Sequence, residues 1–274
     1  DDPGVPSGQV LWNPRVGFNW DINAEQTQQL RGGVGLFTGN PAYVWMSNAY
    51  SNNGTGLGIL QCGTDNPNGF VPAFSGDPNN QTLNCVDAAG NPTVGIGDGD
   101  FLGEIDLIAD DTKYPQVMRA NLAYDRRLPK DFLLTLEGIF NKGINDYFIV
   151  NRNFTDGTGA AYSSQQEGAS TRVLYGQQLS SGRSLPEYYR SSVYGTGSTG
   201  VFELRNTSEN YSYNLTAGVQ KFIGQDIRLT GAYTFSRAYD VQSFTSSRAT
   251  SNWRFGRMNA GDQLVDNAEL SSFD

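Results

Sequence analysis

Histidine is missing from all 274 residues. Its absence removes the usual general base and the commonest metal ligand together. A Ser-His-Asp or Cys-His nucleophile cannot be assembled from this chain. A zinc site would need its two cysteines plus carboxylates. A carboxylate-only glycosidase stays open in principle, but the chain is expected not to be an enzyme and to carry no cofactor. Long apolar runs are missing as well. No stretch approaches the ~18 residues that a spanning helix requires, and mean hydropathy is -0.45. Positive charge is scarce: a net charge of -9 argues against a nucleic-acid partner, because neutralising phosphates needs a surplus of Lys and Arg.

Cysteine is scarce but informative. Cys62 and Cys85 share one polar segment full of Asn, Gly, Asp and Pro, such as TDNPNG and GDPNNQ. They read either as two unrelated thiols or, better, as a loop disulfide made in an oxidising compartment. Closing such a loop restricts the unfolded chain by roughly 3 kcal/mol. It also implies export. The opening DDPGVPSG is polar and loop-like, so the chain reads as mature or truncated rather than as a precursor with its signal peptide.

What is present in quantity is alternation. Residues 14–38 place Val16, Phe18, Trp20 and Ile22 on one face, with Arg15, Gly17, Asn19 and Asp21 on the other. After the turn NAEQ, Leu30, Val34 and Leu36 oppose Arg31, Gly33 and Gly35. The same grammar covers 115–141, where Met118, Ala120, Leu122 and Tyr124 precede Phe132, Leu134, Leu136 and Phe140. It recurs over 210–237, from Tyr211, Tyr213 and Leu215 to Leu229, Tyr233 and Phe235. Period two with one greasy face is a half-buried strand. A membrane-spanning strand needs only about 9–11 residues with every second one apolar.

The three turns are short and the other connections run to tens of residues, rich in Gly, Asn and Ser. Compact soluble domains rarely hold such structureless loops. Outer-membrane barrels do, with short turns on one side and long loops outside. The expected fold is therefore all-β: an antiparallel transmembrane β-barrel segment of about six strands in three hairpins, with long extracellular loops, in the bacterial cell outer membrane. Trp20, Tyr124, Phe132, Phe222, Tyr233 and Phe235 are expected to form interfacial girdles. Alternation alone also suits a surface structural or adhesive β-protein whose strands pair with other chains.

Three blocks carry a family resemblance: LWNPRVGFNWDINAEQTQQLRGGVGLFTGNPAYVWMSNAYSNNG, KYPQVMRANLAYDRRLPKDFLLTLEGIFNKGIND and LRNTSENYSYNLTAGVQKFIGQDIRLTGAYTFSRAYDVQSFTSSRATSNWRF. Together they span about half the chain. In this order they resemble the mid-barrel of TonB-dependent receptors, more narrowly the Oar-like branch with its carboxypeptidase-regulatory-like N-terminal domain. The resemblance implies a barrel of about 22 strands with an N-terminal plug, energised by TonB through a short N-terminal box and importing a large or scarce ligand. Residues 1–274 show no plug-like segment and no TonB box. An open sheet in lipid would leave two unpaired edges, which the bilayer does not tolerate. The expectation is one part of a receptor barrel domain, with outer-membrane lipid, the remaining barrel and plug, TonB through the missing N-terminal region, and an unidentified extracellular ligand as partners.

Several residues are candidates for particular roles. Arg15, Arg31, Arg119, Asp125, Glu137 and Arg228 are expected to face the lumen. Arg15, Arg31 and Arg119 form either a cationic ladder toward plug carboxylates or cross-strand pairs with Asp21, Asp125 and Glu137. Tyr43, Trp45, Tyr50 and Trp253, with Tyr188, Tyr189 and Tyr194, contact ligand or pack the loops. Asp98, Asp100, Glu104, Asp106, Asp110 and Asp111 offer oxygen ligands at a density that calcium uses. Their spacing is not that of an EF-hand, and a solvated acidic loop is the plainer reading.

Overall fold

The computed structural model describes residues 5–54, 62–63, 69–95, 104–152, 161–167, 170–175, 177–178, 184–185, 200–224, 226–256 and 268–271. In chain order the elements are β1 (Arg15–Asp21), β2 (Gln28–Thr38), α1 (Tyr43–Ser51), β3 (Asn84–Val86), β4 (Pro92–Gly95), β5 (Glu104–Ile108), β6 (Gln116–Leu128) and β7 (Phe132–Asn151). They continue with β8 (Ala161–Glu167), β9 (Ser170–Tyr175), β10 (Gln177–Gln178), β11 (Ser184–Leu185), β12 (Gly200–Thr207), β13 (Tyr211–Ile223), β14 (Ile227–Asp240), α2 (Ala249–Phe255) and β15 (Glu269–Leu270).

The three expected hairpins are β1–β2, β6–β7 and β13–β14. They stand side by side as antiparallel neighbours in one sheet, in the order β1-β2-β6-β7-β13-β14. Their turns all lie at one end. Lys130 and Asp131 take positive φ in the second turn, and Gly224 does so in the third, which lets the chain reverse tightly.

Register aligns the alternation of all six strands. One transverse row on the apolar face reads Phe18, Gly32, Leu122, Gly138, Leu215 and Phe235. The next reads Trp20, Leu30, Tyr124, Leu136, Ala217 and Tyr233, which brings three of the expected girdle residues to one level. Phe222 does not join them: it pairs with Arg228, in the register of the polar face. Slipping any strand by one residue would turn its apolar set to the wrong side, so the pattern fixes the register.

The apolar face ends in aromatics and cations at its upper border. Tyr211 stacks on Tyr239 at 4.7 Å, and Lys142 lies 5.7 Å from the Tyr211 ring. At the lower border Lys221 lies 4.4 Å over the Phe132 ring. From Tyr211 to Lys221 the strand rises ~34 Å, or ~26 Å normal to a membrane at a tilt of ~40°, which matches the apolar band of an outer-membrane wall. Among the described residues no helix is long and apolar enough to cross a membrane, a fact that says nothing of strands.

Beyond the wall the chain builds a cap. β7 runs past the end of its pairing with β6 to Asn151, where β12 joins it antiparallel and β5 joins β12 in parallel. At the level where β7 leaves the wall, Gln116 pairs with Asn145 and Val117 with Gly143, so the register shifts across a bulge. Helices α1 and α2 pack onto these strands around Met46, Ile108, Ile149, Phe202, Leu204 and Trp253. Neither helix was expected: both are short, neither has a side-chain cap, and their sequences are dominated by Asn, Ser, Thr and Tyr. A disulfide joins Cys62 to Cys85 beside the small β3–β4 hairpin.

Candidate functional site

The polar face of the wall holds all six residues expected to face the lumen. Its upper row runs Arg15, Gly35, Arg119, Asn141 and Ser212. Arg119 Nε donates to Asn141 Oδ1 at 2.7 Å, and Asn141 Nδ2 donates onward to Ser212 Oγ at 3.0 Å. Arg15 leans the other way, with its guanidinium 4.3 Å from the Phe37 ring. Gly35 separates the two arginines. A Cβ there would meet Arg15 Cγ at 2.9 Å, so the glycine makes room for the Arg15 side chain.

Four residues further down, the row reads Asn19, Arg31, Ala123, Glu137 and Thr216. The small side chain of Ala123 lets Arg31 reach across it, 3.9 Å from Glu137. Arg31 Nε also donates to Asp125 Oδ2 at 3.0 Å, while Thr135 Oγ1 donates to the other Asp125 oxygen at 2.6 Å. The ladder is therefore split. Arg31 is neutralised within the wall, whereas Arg15 and Arg119 have neutral partners. Asp21, the third expected acid, accepts instead from the Gln26 backbone N–H in the turn. Arg228 lies near the last turn, opposite Phe222.

Two recesses open on this face. The lower, of about 730 Å³, is lined by Asp21, Gln29, Arg31, Asp125 and Arg127 near the turns. The upper, of about 310 Å³, lies at the junction with the cap among Asn141, Asp146, Asn210, Ser212 and Asp240. Asn210 donates to Asp146 at 2.7 Å, and its own carbonyl accepts from the Val241 N–H at 2.8 Å. Asp146 and Asp240 escaped the sequence reading because both lie beyond the stretches with clean alternation.

The loop aromatics divide between surface and core. Tyr43 and Tyr50 project from α1 into solvent. Trp45 stacks 4.3 Å from Phe244 and donates its indole N–H to the Ser246 carbonyl at 3.3 Å. Trp253 is only 1% exposed, packed 5.8 Å from Phe202, so it fills the cap rather than its surface. Tyr188, Tyr189 and Tyr194 lie outside the described residues, as do Asp98 and Asp100.

Of the acidic run, Glu104 and Asp106 turn inward from β5, and Asp110 and Asp111 follow it in a turn. Glu104 accepts from the Thr250 hydroxyl and from Arg248 at 3.5 Å. Asp106 accepts from Asn52 Nδ2 at 2.8 Å. Burial pushes the Asp106 carboxyl up to about 7, with the charge of Glu104 adding to it and the Asn52 hydrogen bond and Arg248 opposing. Among the described residues no three His, Cys, Asp or Glu side chains come together as a metal ion would require.

No curated protein matches the sequence. One solved structure that resembles the chain is the crystal structure of the siderophore receptor PirA from Pseudomonas aeruginosa, at 10% identity and a TM-score of 0.32. That overlap covers 84% of this chain and 30% of the receptor, so the chain spans about a third of the receptor's length. A family model described as an outer membrane beta barrel domain matches residues 1–274. With short turns at one end, a cap at the other and an apolar face a bilayer tall, the chain belongs to this outer-membrane barrel family and resides in the bacterial outer membrane.

Proposed function

We propose that residues 1–274 form a section of the wall and cap of an outer-membrane importer of the TonB-dependent receptor type. The observation that carries the reading is the two-faced sheet, whose polar side presents Arg15 and Arg119 with no carboxylate partner among the described residues. Further strands close the barrel by pairing with the outer edges of β1 and β14, because lipid cannot satisfy bare backbone groups. A plug inside the closed barrel would offer carboxylates to the two arginines. Arg31, already paired with Asp125 and Glu137, contributes to the wall itself. The cap, with Tyr43 and Tyr50 exposed on α1, meets the ligand first. The three sequence blocks support a receptor of the Oar-like branch.

The test compares spent media from cells with and without the full-length protein, each with and without a protonophore. Import predicts at least one solute removed only by energised cells that carry the protein. Identical media in all four conditions would favour a structural or adhesive surface protein instead.

A further inference from the structure

The segment closed by the disulfide lies at the cap end, far from the three short turns, and therefore outside the cell. Phe70 bridges Val86 through two backbone hydrogen bonds of 2.7 and 3.0 Å, which shut the loop between them. Inside it, Asn79 N–H donates to Asp77 at 2.9 Å and Gln81 donates to the Ser75 carbonyl at 3.0 Å. The loop is thus compact and held by polar contacts, with a disulfide at its base. Its apolar side chains have no core to enter. Phe74 is 89% exposed, Val71 68% and Leu83 60%. Large apolar side chains exposed on a pre-organised loop mark an interaction surface.

Charge decides what kind of partner fits. Between Arg31 and Lys113 the sequence has no Lys or Arg at all, yet it holds nine Asp and Glu residues. Two of them lie close in sequence to the apolar side chains: Asp77 falls between Phe74 and Leu83, and Asp87 follows Leu83. Asp87 accepts from the Asn91 side chain and from the backbone N–H groups of Asn91 and Ala89, and these bonds hold its carboxyl below the usual range. An anionic lipid surface would be repelled by such a loop, and an acidic protein likewise. We propose that the loop between Phe70 and Val86 is a docking surface for a cationic protein segment, with Val71, Phe74 and Leu83 as apolar anchors and Asp77, together with Asp87 just beyond the loop, as the charge that selects it. The surface is independent of import: it would serve a receptor or an adhesin equally.

The experiment uses the full-length protein in nanodiscs of zwitterionic lipid. The probe is a synthetic Phe/Lys peptide of about a dozen residues; a Phe/Glu counterpart and empty discs serve as references. The Phe/Lys peptide should bind the protein-containing discs, more weakly as salt rises, and the Phe/Glu peptide should not. The double variant V71S/F74S should lose about tenfold in affinity by giving up apolar contact. D77N/D87N should lose less and flatten the salt dependence. Thiol titration of both variants verifies that the disulfide is intact, so a misfolded loop is recognised. Equal binding of the two peptides would overturn the proposal, as would equal binding to empty discs. So would hydroxyl-radical footprinting of intact cells that leaves Phe74 unmodified, because the rest of its own protein would then be covering the loop.

Discussion

Leu215 on β13 and Trp253 on α2 are both large apolar side chains, yet the first is 56% exposed and the second 1%. The difference runs through the whole molecule. The wall turns Phe18, Leu122, Leu136 and Leu215 outward in aligned rows and keeps its polar side chains on the other face. The cap gathers Met46, Ile149, Phe202 and Trp253 inward around a packed centre. In the wall the surroundings supply the apolar solvent, and in the cap the protein supplies its own. Side-chain chemistry alone does not reveal which solution a segment uses; periodicity does. Strict alternation exports the apolar set to lipid, whereas continuous burial along β12 marks a strand covered on both faces.

That contrast can be broken from either side. The largest effect is expected in the cap: Trp253→Ala should cost about 3–5 kcal/mol by leaving a cavity against Phe202. Protease digestion of intact cells should then cut the cap while the wall stays folded. In the wall, Leu215→Arg should cost about 2–4 kcal/mol, because it sets a charge in lipid. Thr216→Arg, on the opposite face of the same strand, should be close to neutral. Urea denaturation of the full-length protein in detergent-free bilayers compares the two; equal costs would mean that the two faces of β13 meet the same solvent.

The smallest effect concerns pH. The Asp106 carboxyl is raised from 3.8 to about 7 in the folded cap, so the folded state holds its proton more tightly than the unfolded one. Its stabilisation is full below 3.8 and is lost as pH climbs to about 7. Asp106→Asn keeps a neutral side chain at every pH. It should make the cap more resistant to protease at pH 8 by on the order of 1–2 kcal/mol and flatten the profile between pH 4 and 7. A variant whose profile still falls over that range would place the titrating group elsewhere.

How far the sequence could be read follows the same division. Every wall strand and the polar face shared by the six residues expected to line the lumen were legible, because Val16, Phe18 and Trp20, and Tyr211, Tyr213 and Leu215, repeat at period two without interruption. The end of β7 was not, since Gly143 and the bulge beside it break the period before Tyr147, Phe148 and Ile149 turn inward. The pairing of β5 with β12 was hidden for a different reason. The strands are parallel and almost a hundred positions apart, as Ile105 with Val201 shows, and nothing local encodes that choice. The pairing of Arg31 could be listed among alternatives but not chosen, because it depends on Ala123 lying between Arg31 and Glu137 once three strands are aligned. Trp253 was visible only as an aromatic, since its burial comes from Phe202 on a remote strand.

β7 belongs to both regions, and mechanically that makes it a lever arm. Its lower part is locked on both sides, by β6 and β13, in a ladder that cannot slide without inverting its faces. Its upper part is held by β12, by the helices of the cap and by side chains such as Gln242 and Asn210. The bulge around Gly143–Asn145 sits between the two as a fulcrum. A force applied to the cap from outside would run down this strand into the wall and reach Asn141, which is hydrogen-bonded to Arg119 on the polar face.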